Sequence, residues 1–366
     1  MTRTRHRTSV MGMRGGSVGL AALWSCMVCA QPPGIRGVGD LPGGIEDSIG
    51  LALSADGLVV VGSSASGAGR EAFRWTAATG IVGLSDLPGG VFASGALGVS
   101  GDGAVIAGDA SGLSGDMAFR WAEVSKMAEL GDLAGGAVSS RALGVSLDGS
   151  TIVGRSESAN GTEAFRWTQA AGMVGLGDLP GGEFSSSAFA VSADGSIICG
   201  RATTAAGPEA FRWTEASGMV GLGDLPGGAV RSFATAMTPD GAVIVGYSES
   251  GSGVEAFRWT ADEGMTGLGD LPGGQFRSLA VAVSADGSTI LCASDTDRGE
   301  EYAIWTREEG MQNLRARLID LGAKEADAWF LSGHYGGISA DGRIVAGYGT
   351  NPSGHREAWI ASIARP

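Results

Sequence analysis

Short apolar runs of five to eight residues, broken by small polar turns, occupy almost the whole chain. Between residues 48 and 87 the runs are SIGLALS, LVVVGSS, EAFRWT and IVGLSDL, separated by Ala-Asp-Gly, Ala-Ser-Gly-Ala-Gly and Ala-Ala-Thr-Gly. Alternation such as Phe73 with Trp75 has the period of two that a strand requires, and Asp-Gly between apolar runs is a hairpin signal. The pattern therefore predicts four short strands and no helix in this segment.

The segment repeats. The turn Gly-Asp-Leu-Pro-Gly-Gly, with one substitution allowed, places its Asp at Asp40, Asp86, Asp132, Asp178, Asp224 and Asp270, every interval being 46 residues. The Asp of the Asp-Gly pair keeps the same period at Asp56, Asp102, Asp148, Asp194, Asp240 and Asp286 and returns at Asp341, after 55 residues. Trp75, Trp121, Trp167, Trp213, Trp259 and Trp305 keep step with them. Four strands in 46 residues suit a propeller blade, since a β-helix coil is about half as long and a helical repeat has a spacing of 3 to 4.

The strand count predicts how the ring closes. First strands begin near residues 48, 94, 140, 186, 232, 278 and 333, which is seven, but after the last one the chain ends before a fourth strand. The missing strand is expected at the other end, where GIRGVGDL at 34–41 precedes the first repeat. The expected fold is all-β: a seven-bladed β-propeller of four-stranded blades, closed by an N-terminal strand. Closure would remove a sheet edge open to aggregation. One column of the first strand, Ala52, Gly98, Gly144, Ala190, Ala236, Ala282 and Gly337, never exceeds alanine, as a crowded axis demands; Gly144→Ala is expected to fit there and Gly144→Leu not. The Phe and Trp of the third strand are expected to fill the wedges between blades.

The seventh repeat departs from the rest. Trp305 to Asp341 spans 36 residues where Trp259 to Asp286 spans 27, and Met311, Leu314, Leu318 and Leu321 fall on one helical face with Gly322 beyond them. This spacing predicts one short helix at about 311–321, packed as a cap.

The triplets Glu71-Ala72-Phe73, Glu163-Ala164-Phe165, Glu209-Ala210-Phe211 and Glu255-Ala256-Phe257, set between Ser-x-Asp-Gly and Gly-Asp-Leu-Pro-Gly-Gly turns, resemble the HAF family of extracellular repeats over residues 34–363. That family is named for His-Ala-Phe, whereas Glu, Met or Tyr takes the first place here, so no role for that His carries over. ISADGRIVAGYGTNPSGHREAWIA at 338–361 looks like the terminal unit of such proteins. The resemblance implies an exported repeat protein and brings no active site.

The N-terminus changes the expected location. Arg3, Arg5, Arg7 and Arg14 precede the apolar run Val18–Ala30, which is too short to span a membrane and ends in Val-Cys-Ala before a polar stretch. Residues 1–30 read as a signal peptide cleaved near Ala30, leaving 31–366 as a single propeller domain, extracellular or periplasmic, with no transmembrane segment; a lipoprotein anchored at Cys26 is the alternative. Cys26-x-x-Cys29 lies inside the expected leader. Cys199 and Cys292 sit in apolar runs and are expected to be buried thiols.

Composition narrows the chemistry. Of 366 residues 65 are Gly, which calls for many turns, and 25 Lys plus Arg against 39 Asp plus Glu give a net charge of −14, becoming −18 once the four leader arginines are removed. Nucleic acid is a poor partner for such a chain. His334 and His355 are the only histidines after the leader, too few for a triad or a metal centre of the usual spacing. The repeated Asp residues are expected to shape turns through Asx hydrogen bonds, and each turn's single carboxylate falls short of calcium's several oxygens, so no metal or other cofactor is expected. The loops that vary most between repeats share one face, where Phe92, Phe184 and Phe276 recur every 92 residues beside Arg231 and Arg277. Those five residues form the candidate binding face of a secreted, non-enzymatic interaction or structural scaffold whose partner is an extracellular protein or glycan. The alternative is a carbohydrate- or peptide-directed hydrolase or lyase using face-loop acids. It would have its centre in the irregular repeat, around Asp327, Trp329, His334, Tyr335 and His355.

Overall fold

The computed structural model describes residue 1 and residues 32–364; the expected leader, with Cys26 and Cys29, lies outside them. Strand β1 (Gly34–Gly37) is followed by the first complete unit, β2 (Gly43–Leu53), β3 (Val59–Ser66), β4 (Arg70–Thr76) and β5 (Gly80–Gly83). Within the unit each strand pairs antiparallel with the next, placing Val60 opposite Trp75 and Trp75 opposite Ile81. Five more units of four strands follow, at 89–129, 135–175, 181–221, 227–267 and 278–313. The seventh holds Gly337–Ile338, Ile344–Thr350 and Arg356–Ser362, and β1 pairs antiparallel with the last of these, Ile35 opposite Ala361 and Gly37 opposite Trp359. The chain is all-β, in seven four-stranded units, with one short α-helix.

Apolar side chains gather between the units. Seven clusters each join two successive units, and one of them brings Ala346, Ala358 and Ile360 of the last unit against Leu53, Val60, Phe73 and Trp75 of the first. Phe73, Phe119, Phe165, Phe211 and Phe257 are completely buried, each directly opposite a glycine of the neighbouring strand, as Phe73 is opposite Gly62. The aromatic ring fills the volume that the absent side chain leaves. In the sixth unit the pair is inverted, Cys292 standing opposite Ala303. The register there puts Glu301 in the first place of the triplet and Tyr302 in the column of the alanines, one place on from the sequence reading. Tyr302 fills its new position by packing edge-on against Trp359, centroids 5.2 Å apart.

In six of the seven units a serine of the first strand ties the unit to the one before. Ser94 Oγ accepts from Ala72 N at 3.0 Å and donates to Ser85 O at 2.8 Å. Ser140, Ser186, Ser232 and Ser278 repeat both bonds. Ser48 makes them to Ala358 N of the last unit and to Gly39 O beside β1. At the remaining junction Gly333 holds the serine's register, and the backbone bond Tyr302 N to Leu331 O serves instead.

The Ser-x-Asp-Gly turns behave as Asx turns. Asp102 Oδ1 accepts from Ser100 Oγ at 2.7 Å and Ala104 N at 3.0 Å, and these bonds hold its pKa below the usual 3.8, the backbone bond most strongly. Only the glycine takes a positive φ, 70° at Gly103. The loop between Ser100 and Val105 is thus four residues long, closed by the bond Gly103 N to Ser100 O, and is not the two-residue hairpin that Asp-Gly suggested.

The small-residue column does lie where first strands converge, Gly98 facing Gly144 and Gly337 facing Leu53. A methyl group at Gly144 would lie 2.7 Å from the carbonyl oxygen of Phe189, so even alanine is too large there, which corrects the expectation that Gly144→Ala fits. The helix is also shorter than expected. Residues 310–313 form the sixth unit's fourth strand, and α1 runs only over Leu314–Asp320, capped by Asn313 Oδ1 accepting from Ala316 N at 3.0 Å. Leu314 and Leu318 are completely buried in the cluster between the sixth and seventh units, whereas Met311 packs in the cluster before it. Among the described residues no helix is long and apolar enough to cross a membrane.

Candidate binding face

The loops leading into the first strands and the hairpins between second and third strands lie together on one face. Phe92, Phe184 and Phe276 sit there half-buried, each with its carbonyl oxygen over a hairpin glycine of the preceding unit, Gly69, Gly161 and Gly253, whose φ values of 148°, 134° and 141° already favour glycine. They occupy alternate junctions and are not gathered into one site. Arg231 is exposed, pairs with Glu249 at 3.1 Å and lies 5.8 Å from the centroid of Phe233. Arg277 is held between Glu300 at 2.5 Å and Asp295 at 3.4 Å.

The residues of the alternative catalytic centre have separate partners. Trp329 is buried in the core and Asp327 pairs with Arg315 at 2.7 Å. His355 pairs with Glu46. His334 and Tyr335 stay together, ring centroids 4.7 Å apart, with His334 Nδ1 3.2 Å from Glu300 Oε1. That hydrogen bond, reinforced by Arg277, holds the Glu300 pKa below the usual carboxylate range against the effect of burial. Cys199 and Cys292 are buried free thiols whose pKa values burial drives far up.

A denser group of functional side chains lies deeper on the same face. The residue after each latch serine, in the register of Ile49, is Gly95, Arg141, Ser187, Phe233 and Leu279 in the next five units. Opposite these on the second strand stand Ser63, Asp109, Arg155, Arg201, Tyr247 and Ala293. The third, fourth and fifth units thereby bring together Arg141, Arg155, Arg201 and a stacked Phe233–Tyr247 pair, 4.7 Å between centroids, with Arg231 beside Phe233. Arg201 lies 5.2 Å and Arg231 5.8 Å from the centroid of the Phe233 ring. Arg141 pairs with Asp109 at 3.0 Å, while neither Arg155 nor Arg201 has a carboxylate within ion-pair distance among the described residues. Burial lowers the Arg201 pKa, and the like charges of Arg155 and Arg231 push it the same way. Burial raises that of Tyr247, whose electrostatic neighbours are Arg201, Arg231, Tyr335 and Arg277. None of this group except Arg231 was singled out in the sequence. Setting the repeats in their 46-residue register and reading two columns, the one after the serine and the second-strand one through Ser63, Asp109, Arg155, Arg201 and Tyr247, would have found it.

No protein-family model and no curated protein sequence matches the chain. Solved structures resemble it in fold. Oligogalacturonate lyase from Vibrio parahaemolyticus has a TM-score of 0.56 at 11% identity, the match covering 91% of this chain and 98% of that one. The β-propeller domain of the trilobed protease from Pyrococcus furiosus, described as having an open velcro topology, gives 0.52 at 10% identity over 92% and 96%. A chain of the mitotic checkpoint complex gives 0.52 at 14% identity over 98% and 100%. At these identities the likeness is one of architecture alone: the chain has a propeller-like fold of seven four-stranded units.

Proposed function

We propose that the chain is an exported repeat protein of the HAF type whose seven units form a ring closed by β1, and that it is a non-enzymatic interaction scaffold. The observation that carries this reading is the contrast between adjacent columns. The latch serine is the same at Ser48, Ser94, Ser140, Ser186, Ser232 and Ser278, while the next residue runs through Ile, Gly, Arg, Ser, Phe and Leu. The varied column lies within the paired first strands, with Ile49, Gly95 and Arg141 part-exposed and Ser187, Phe233 and Leu279 buried, so constant junctions carry side chains that differ from unit to unit, which supports a rigid scaffold with a varied surface. The pairing of β1 with the last strand and the Ser48 bonds across the two chain ends support closure.

The test is a glycan and protein-fragment array probed with the mature chain, followed by mass analysis of whatever is retained. A defined set of intact binders supports the reading. A hydrolase or lyase is the second reading, favoured by the His334–Glu300 pair on the same face, and cleaved ligands would establish it at the expense of the first. Export is checked separately: N-terminal sequencing of the protein recovered outside the cytoplasm should begin near Gln31.

A further inference from the structure

The arginines of the inner face are arranged at an electrostatic cost. Arg141 stands directly opposite Arg155 on the paired strand, where like charges repel, and the single carboxylate of Asp109, ion-paired with Arg141, attracts both. Arg201 is half-buried, and Arg155 and Arg231 are its like-charged electrostatic neighbours. The chain carries 39 acids, yet none lies within ion-pair distance of Arg155 or Arg201 among the described residues. Phe233, flanked by Arg201 at 5.2 Å and Arg231 at 5.8 Å and backed by Tyr247, holds the guanidinium groups in place before any ligand arrives.

We propose that this arginine group binds an acidic sugar, the carboxylate of a uronate residue being received by Arg155 and Arg201. Guanidinium groups take carboxylates in bidentate fashion, and two unpaired arginines supply that chemistry where the rest of the chain is acidic. The rim also carries Asp109, Glu249 and Glu300, which accept hydrogen bonds. A sugar brings hydroxyl donors for them on the same residue as its carboxylate, whereas a dianionic phosphate meets them as added repulsion. The net charge of −14 opposes a long polyanion spread over the surface, so recognition is local, one or two residues at a time.

The inference rests on the loop face being a binding surface, and the two fail differently. Calorimetric titration of the mature protein with trigalacturonate and trimannuronate is the test, with maltotriose, triglutamate and glucose 6-phosphate as comparison ligands. A uronate trimer should bind, weaken with added salt, and lose about tenfold or more in affinity in the Arg155→Gln/Arg201→Gln variant. A cooperative melting transition of the variant shows that it is folded, so that its affinity reads the lost guanidinium groups. No uronate binding, equal or tighter binding of triglutamate, glucose 6-phosphate or maltotriose, or an unchanged affinity in the variant would overturn the inference. A blank titration beside a selective array result would leave the scaffold reading standing, and cleavage of a bound uronate would do the reverse.

Discussion

At the scale of single residues, the fold depends on small polar side chains doing one job repeatedly. Ser94 satisfies a completely buried backbone N–H at Ala72 and a carbonyl at Ser85, so Ser94→Ala should destabilise the protein by about 1–3 kcal/mol in denaturant unfolding. An unchanged unfolding midpoint would show that water takes over both bonds. The turn aspartates have a different signature. Asp194, bonded by Ser192 Oγ and by Ser196 N and Oγ, has its pKa lowered from 3.8 to about 2. A group whose folded pKa is depressed stabilises the fold above its unfolded value and loses that contribution as pH falls through the folded one. The stability gap between wild type and Asp194→Asn should therefore be full near about pH 5 and vanish towards about pH 2; a carboxyl titration midpoint at the ordinary value would contradict this. The turn role of these aspartates was legible because Asx chemistry is local. The serine latch was not, since a serine in a strand reads as ordinary alternation and its partners, Ala72 N and Ser85 O for Ser94, lie 22 and 9 residues earlier in the chain. The arginine group escaped for the same reason: Arg155, Arg201 and Phe233 become neighbours only when three units pack side by side.

At the scale of elements, periodicity located the strands well, and the errors arose where the repeat breaks. The 3–4 spacing from Met311 to Leu321 signalled a helix, but Gly310–Asn313 has a prior commitment as the fourth strand of the sixth unit, with Met311 opposite Trp305. The helix starts only where that pairing ends, at the Asn313 cap. Tyr302 was misassigned because the sixth unit exchanges a Gly–Phe pair for Cys292–Ala303, and no single-strand pattern reveals that two positions on different strands share one volume. With Leu314 and Leu318 both completely buried beside Leu331 and Trp359, the double variant Leu314→Ala/Leu318→Ala should lose about 4 kcal/mol or more in thermal or denaturant unfolding. A helix that served only to recognise a partner would leave the melting temperature unchanged.

At the scale of the whole molecule, the seven units, the seven apolar clusters and the chain ends make one account. The first and last units share an apolar cluster, the Asp47–Arg356 ion pair at 2.6 Å, and the Ser48 latch, while Arg36 of β1 lies 4.7 Å over Trp75. The seven four-stranded units were legible from the count of strands, because six fourth strands against seven first strands leave one to be supplied from the N-terminus, where β1 pairs with the last strand. The arginine group of the inner face was not legible there, since it depends on register between units and not on any motif within one. The central claim is that β1 closes the ring, and the most direct measurement removes it. The mature chain lacking residues 31–44 should either lose solubility or melt far below the intact protein, with the third strand of the seventh unit left as an open edge. A truncated chain that remains monomeric and melts with the intact protein would contradict closure by β1.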